Sequence, residues 1–158
     1  EDIHAMFEVN TFALMNLSRL LGERMKQAGH GHIVNLVSTA GLIASAKSSL
    51  YSATKFAGIG FSNALRLELM PYNVYVTTVN PGPIKTAFFD KADPDGSYVK
   101  AVDKYILEAD VVAKQIVDNF GKKKRELTMP FALKAAHKLY TLFPNIGDKL
   151  ASKMFNYK

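Results

Sequence analysis

Gly31-His32-Ile33-Val34-Asn35-Leu36-Val37-Ser38 is the stretch that decides the fold. Its middle, Ile33 to Val37, is short, mostly apolar and rich in β-branched residues, which suits a strand buried on both faces. Upstream, Ile3, Phe7, Leu14, Leu17, Leu21 and Met25 recur at three- to four-residue steps, so positions 1–27 are expected to be helical until Gly29-His30-Gly31-His32 breaks the pattern. Downstream, a loop of small residues runs from Ser38 to about Ser48, and a second helical pattern runs from Ser49 to Met70, where Pro71 stops it. Asn73 to Val79 is β-branched and aromatic, a second strand, and Asn80-Pro81-Gly82-Pro83 is expected to be a loop. Positions 85–97 look irregular and polar, with a turn at Asp93-Pro94-Asp95-Gly96. A helix over 109–120, a last strand Glu126-Leu127-Thr128-Met129, and a helical tail from Phe131, broken at Pro144-Asn145-Ile146-Gly147, complete the chain. Helix alternating with strand predicts an α/β fold whose parallel sheet has about three strands with flanking helices. Three strands leave an edge unpaired, so the sequence looks like the back part of a larger α/β domain.

Composition narrows the function. The chain has 158 residues, 48% hydrophobic and 22% charged, which fits one packed unit and not a disordered one. It holds no cysteine, so thiolate metal sites, disulfides and a cysteine nucleophile are excluded, and a reducing, cytoplasmic setting fits. No apolar run is long enough to cross a bilayer. The net charge of +6 is lopsided: positions 1–99 hold 8 basic and 8 acidic residues, and positions 100–158 hold 12 and 6. Lys122-Lys123-Lys124-Arg125 supplies much of that excess and is read as a solvated turn. No basic stripe interleaved with aromatics is present, so nucleic acid is not an expected partner.

Four local features carry chemistry. Tyr51 and Lys55 are four apart, hence on one helix face about 6 Å apart along the axis. A phenol with an ordinary pKa of ~10 is a poor base at neutral pH. An adjacent ammonium favours its anion and is expected to lower that value by roughly 1–3. Ser38 stands at the end of the first strand, thirteen positions before Tyr51. Strand carboxyl ends are where parallel α/β sheets bind ligands, and a hydroxyl there can stabilise charge developing on a substrate oxygen. Asn10 lies in the first helix, where asparagine is a poor helix former and needs an exposed face or a role. Pro81-Gly82-Pro83-Ile84-Lys85-Thr86 follows the second strand, again at a carboxyl end.

In that order, Val9-Asn10, a strand-end Ser38, Tyr51-x-x-x-Lys55 and Pro81-Gly82-x-x-x-Thr86 resemble the short-chain dehydrogenase/reductase family. The resemblance is strong from Asp2 to Thr86 and looser beyond. It implies a Rossmann-like, doubly wound parallel sheet, present here as its C-terminal part over 1–130. It also implies an NAD- or NADP-dependent oxidoreductase that interconverts a carbonyl and an alcohol, with no catalytic metal. Tyr51 would be the acid/base, Lys55 would hold the nicotinamide ribose and acidify Tyr51, and Ser38 would polarise the substrate oxygen. Asn10 would hold a water linking Lys55 to solvent, and Pro81, Gly82, the Ile84 backbone and Thr86 would contact the nicotinamide. The family's Gly-x-x-x-Gly-x-Gly turn and Asn-Asn-Ala-Gly segment are absent from these 158 residues, so this polypeptide alone is expected to have little activity. A scaffold reusing the fold and a membrane-associated lipid carbonyl reductase are the competing readings.

Positions 87–104 fit the family's substrate lid, and Phe88, Phe89 and Ile106 lean towards a hydrophobic small-molecule substrate. Ala57, Gly58, Gly60 and Ala64 would let helices of two subunits approach closely, so a homodimer or homotetramer is expected. The basic tail 131–158 carries Phe131, Leu133, Leu139, Tyr140, Leu142, Phe143, Met154 and Phe155. It is read first as a cover for the substrate cleft, next as a subunit interface, and last as a segment on an anionic membrane, so membrane association is not expected. His30-x-His32 has no ligand partners at metal spacing and is assigned to a turn. Ser48 and Ser49 are read as helix N-caps.

Overall fold

In the computed structural model, which describes residues 3–154, the sheet is built from β1 (Gly31–Leu36), β2 (Val74–Pro81) and β3 (Glu126–Met129). All pairings are parallel and the order is β1-β2-β3, with Ile33 opposite Val76 and Asn80 opposite Thr128. β2 is the central strand and is buried at every position but Tyr75, which explains its almost unbroken run of β-branched residues. Around it lie α1 (Ile3–Phe7), α2 (Ala13–Ala28), α3 (Ser49–Leu69), the short helices α4 (Phe88–Ala92) and α5 (Ser97–Val102), α6 (Ala109–Val117), α7 (Phe131–Leu142) and α8 (Pro144–Met154).

Side chains of successive strand residues point to opposite faces, and the core divides accordingly. On one face Ile33, Val74 and Val76 pack with Leu65 and Leu69 of α3, closed by Met25 and Phe61. On the other, Val79 packs with Val112 of α6 and Met129, closed by Val34, Ile84, Leu107, Ile116 and Leu127. Helices therefore cover both faces, the doubly wound arrangement. Asn35, polar in mid-strand, is buried because Ser18 of α2 donates to its Oδ1 at 3.1 Å while its Nδ2 donates to Ser62 of α3 at 2.9 Å. Paired in this way, a buried amide loses little on leaving water.

Several boundaries differ from the sequence reading, each for a physical reason. The first helix is interrupted by a π-helical turn, Glu8–Phe12, a local widening that often marks functional sites. Leu17 and Leu21 are exposed, and Ser18 and Gly22 are the buried positions of α2. The leucines border a groove of about 320 Å³ between α2 and the free edge of β1. β2 continues through Asn80 and Pro81 instead of giving way to a loop, because the Pro81 carbonyl accepts from Thr39 Oγ1 at 3.2 Å and Gly82 N–H donates to Met129 O at 2.7 Å. The polar stretch after Thr86 contains α4 and α5, and the Asp93 carboxylate accepts from the amides of Tyr98 and Val99 at the start of α5. Ser48 occupies the N-cap position of α3 without capping it, since its hydroxyl is engaged by Ser45 and Ser52. His32 lies in β1 and not in a turn: Nδ1 accepts from Gly121 N–H and Nε2 bonds Thr77 Oγ1. Glu1, Asp2 and Phe155 lie outside the described residues.

Candidate active site

Two strand ends and one helix start meet here. Ser38 follows β1 in extended backbone, and its Oγ accepts from Ala40 N–H at 3.1 Å as the loop turns into Thr39–Gly41. The loop is pressed onto α3: a Cβ on Gly41 would lie 2.7 Å from the carbonyl oxygen of Lys55, closer than real contacts allow. Glycine is thus required for Ser38 to reach the first turns of α3, where Tyr51 and Lys55 stand.

There the Ser38 hydroxyl is near enough to the Tyr51 phenol to favour its anion, while its proton is directed to Pro81 O at 3.5 Å. One hydroxyl proton serves one acceptor at a time, so Ser38 can turn from the backbone to the phenol oxygen. The Lys55 ammonium lies 5.5 Å from the Tyr51 ring centroid. No carboxylate among the described residues pairs with it. Asn10, in the π-helical turn, donates from Nδ2 to Thr54 Oγ1 at 3.2 Å, and Thr54 Oγ1 donates to the Tyr51 carbonyl at 2.7 Å. Thr11 donates to the Thr54 carbonyl at 3.1 Å. The π-helical turn is thereby fastened to the backbone that carries Tyr51 and Lys55.

The electrostatics correct one expectation. Burial pushes the Tyr51 phenol above its ordinary 10.0, and the Ser38 hydrogen bond offsets this only in part. Burial pulls the Lys55 ammonium below its ordinary 10.5. The cation lies 5.5 Å from the ring centroid, and loss of hydration dominates the proton affinity of the phenol. At neutral pH Tyr51 is a protonated phenol.

At the second strand end, Lys85 N–H donates to Leu107 O and Leu107 N–H donates to Pro83 O, so the amide of Ile84 itself faces away from Leu107. Thr86 is exposed at the start of α4, with its hydroxyl 3.4 Å from both Ile84 O and Phe88 N. Gly82 has its amide occupied by Met129 and its α-carbon against Leu133 of α7. This donor set suits the nicotinamide-ribose end of a dinucleotide: an unpaired ammonium and a phenol for ribose hydroxyls, and the Ile84 amide with the Thr86 hydroxyl for a carboxamide. No glycine-rich turn after a strand is available in these residues for a pyrophosphate.

Thr54, Thr11 and Gly41 escaped the sequence reading. Gly41, three residues past the strand-end serine, offered a signal of close approach; Thr54 offered none, because a threonine between Tyr51 and Lys55 looks like any helix residue. A file of rings also leads away from Tyr51: Phe88 at 6.2 Å, Phe89 at 5.4 Å from Phe88, and Tyr98 stacked on Phe89 at 5.6 Å. Among the described residues no group of three or more metal-ligating side chains occurs.

A parallel sheet with helices on both faces defines a Rossmann-like α/β protein, and a phenol, a hydroxyl and an ammonium gather at its strand carboxyl ends. Within that class the chain belongs to the short chain dehydrogenase family, whose sequence pattern matches residues 1–96. It is 25% identical over 169 residues to a 3-ketodihydrosphingosine reductase of Bacteroides thetaiotaomicron, covering 99% of this chain and 63% of that protein. It is 36% identical over 107 residues to an NADPH-dependent 3-dehydrocapnine reductase of Ornithobacterium rhinotracheale, covering 65% of this chain and 38% of that protein. Its fold matches a short chain dehydrogenase from Burkholderia cenocepacia, crystallised with NADP, at a TM-score of 0.74 and 23% identity, over 98% of this chain and 59% of that one. The chain thus spans between about two fifths and three fifths of the length of these relatives.

Proposed function

We propose that the protein carrying this chain is an NAD(P)-dependent oxidoreductase that reduces a hydrophobic carbonyl to an alcohol, with Tyr51 as proton donor. The observation that carries the reading is the gathering of Ser38, the Tyr51 phenol and the Lys55 ammonium, 5.5 Å from the Tyr51 ring centroid, at the carboxyl ends of β1 and β2. The bound cofactor supplies the hydride. Ser38 donates to the substrate carbonyl oxygen and fixes its distance from the phenol. As negative charge develops on that oxygen, Tyr51 gives up its proton, which is downhill because an alkoxide is far more basic than a phenolate. The Lys55 ammonium then faces a phenolate and stabilises it until the proton is replaced. Asn10 and Thr54 hold the first turns of α3 in place, and Asn10 is positioned to support a water through which that proton returns. Pro81, Gly82, Ile84 and Thr86 form the wall for the nicotinamide.

Substrate class is argued from the ring file. Phe88 offers apolar surface beside the reacting phenol, and Phe89 and Tyr98 extend it outward, so the carbonyl carries a large apolar substituent. Both named relatives are reductases, one of a keto compound and one dependent on NADPH, which supports the same direction of reaction. A polypeptide of these 158 residues alone is expected to turn over poorly, for want of a pyrophosphate cradle within it.

The test is Tyr51→Phe in the whole protein. It removes one oxygen from a site whose helix is held by other bonds, so folding and thermal stability are retained. Hydride transfer to a hydrophobic ketone should fall by about 10²–10⁴. Unchanged turnover would remove Tyr51 from the chemistry and end the proposal.

A further inference from the structure

The C-terminal hairpin, α7 and α8, has an inner side and an outer side. Inside, Leu133 packs over Gly82, Tyr140 lies against Gly147, and the Tyr140 hydroxyl donates to Asp148 at 2.8 Å, closing the two helices on each other. Outside, Phe131, Leu139, Leu142, Phe143, Ile146 and Leu150 are all between 56 and 78% exposed. On α7, positions 131, 135, 139 and 142 fall within one quarter of the helix circumference, so Phe131, Ala135, Leu139 and Leu142 form a single apolar stripe. Ile146 and Leu150 repeat this one turn apart on α8. Apolar residues this numerous on one element mark an interaction surface.

Charge identifies the partner. The hairpin sequence 131–154 holds four lysines and one aspartate, and that aspartate is already bonded to Tyr140. Lys138 and Lys149 are exposed. Phe131, at the head of the stripe, shares an open groove of about 470 Å³ with Lys124, Arg125 and Lys134. The groove's one carboxylate, Glu126, pairs with Lys134 at 4.0 Å and leaves Lys124 and Arg125 in excess. The basic turn after α6 and the apolar stripe of α7 therefore meet in one place. A second copy docked about a two-fold axis would bring these cations face to face, so self-association through this surface is disfavoured. An anionic lipid surface satisfies both halves: aliphatic and aromatic side chains enter the acyl boundary, and the lysines remain among phosphate groups.

We propose that the outer face of α7–α8, with the Lys124–Arg125 turn, docks this protein on an anionic lipid bilayer. The sequence alone ranked the bilayer last for this tail; the solvent exposure of the stripe reverses that order. Because Leu133 on the inner side touches Gly82, docking holds the cofactor loop about one helix diameter, roughly 10–12 Å, from the lipid. The proposal goes beyond the oxidoreductase reading, and its test needs no turnover.

The full chain is sedimented with phosphatidylcholine vesicles, with and without phosphatidylserine, across a salt series. The variants are Leu139→Asp with Leu142→Asp, and Lys124→Glu with Lys138→Glu, both at exposed sites. Circular dichroism and oligomeric mass are recorded in parallel. Expected is binding to the phosphatidylserine vesicles that weakens with salt and drops at least tenfold in each double variant, with the secondary structure unchanged. Three results would overturn it: no binding to anionic vesicles at low salt, equal binding by the leucine variant, or a drop in oligomeric mass in that variant without any vesicle binding by the parent.

Discussion

Tyr51 titrates under two opposed influences, and their separation is measurable. Burial raises the phenol above 10.0 because the phenolate is poorly hydrated, and Ser38 lowers it by donating to the anion. Replacing Ser38 with alanine removes only the lowering influence, so the Tyr51 titration should move further up. The measurement is an ultraviolet difference titration, each protein minus its Tyr51→Phe counterpart, which isolates one tyrosine among the seven in the chain. A downward move, or none, would mean that the Ser38 hydroxyl is spent on Pro81 O, 3.5 Å away, and not on the phenol. The same sign has a consequence for stability. A phenol held protonated in the folded state contributes fully below pH 10.0, and the contribution is lost as pH rises through the raised value.

At the level of elements, the joint between the Thr39–Gly41 loop and α3 sets the site. A methyl group at Gly41 meets backbone, 2.7 and 2.8 Å from the carbonyl of Lys55, and backbone cannot move as a side-chain tip can. Gly41→Ala should therefore cost about 1–3 kcal/mol, as overpacking does, or about 2–4 °C in Tm per kcal/mol for a chain of this size. It should lower kcat as well, by moving Ser38 away from Tyr51; a variant with unaltered Tm and turnover would contradict the close fit. Much of this layer was legible in sequence. The strand end bearing Ser38 follows from a run of β-branched residues, and the Tyr51–Lys55 spacing places both on one helix face. The second strand was read only to Val79, because Asn80 and Pro81 carry turn-forming side chains yet stay in the sheet through backbone bonds. The π-helical turn at Asn10 was not legible, since its apolar spacing matches an ordinary helix. Nor was the Tyr51 proton affinity, because four-residue spacing fixes which face a lysine occupies but not whether its ammonium reaches the oxygen or the ring.

Across the whole molecule, the surface of α3 that turns away from the sheet also has a reading. Ala53, Phe56, Gly60, Ala64 and Leu67 are exposed and fall on one side of the helix, while Gly58, at first grouped with them, is buried against Val37. Glycine in mid-helix costs about 1 kcal/mol against alanine, and a Cβ at Gly60 meets nothing within 4 Å among the described residues. Nothing among the described residues therefore requires glycine at this position. A neighbouring helix would require it, since small residues let two backbones approach closely, and Phe56 and Leu67 would supply apolar area at either end. A homo-oligomer assembled through α3 would place two sets of Tyr51 and Lys55 on helices that stiffen each other. Gly60→Arg tests it by sedimentation equilibrium: the side chain is harmless in the protomer and blocks the approach of a second α3. Mass should fall to that of the protomer with circular dichroism unchanged, and activity should decline as the α3 face loses its support. An oligomer that survives Gly60→Arg would locate the interface elsewhere and leave the mid-helix glycine without a physical account.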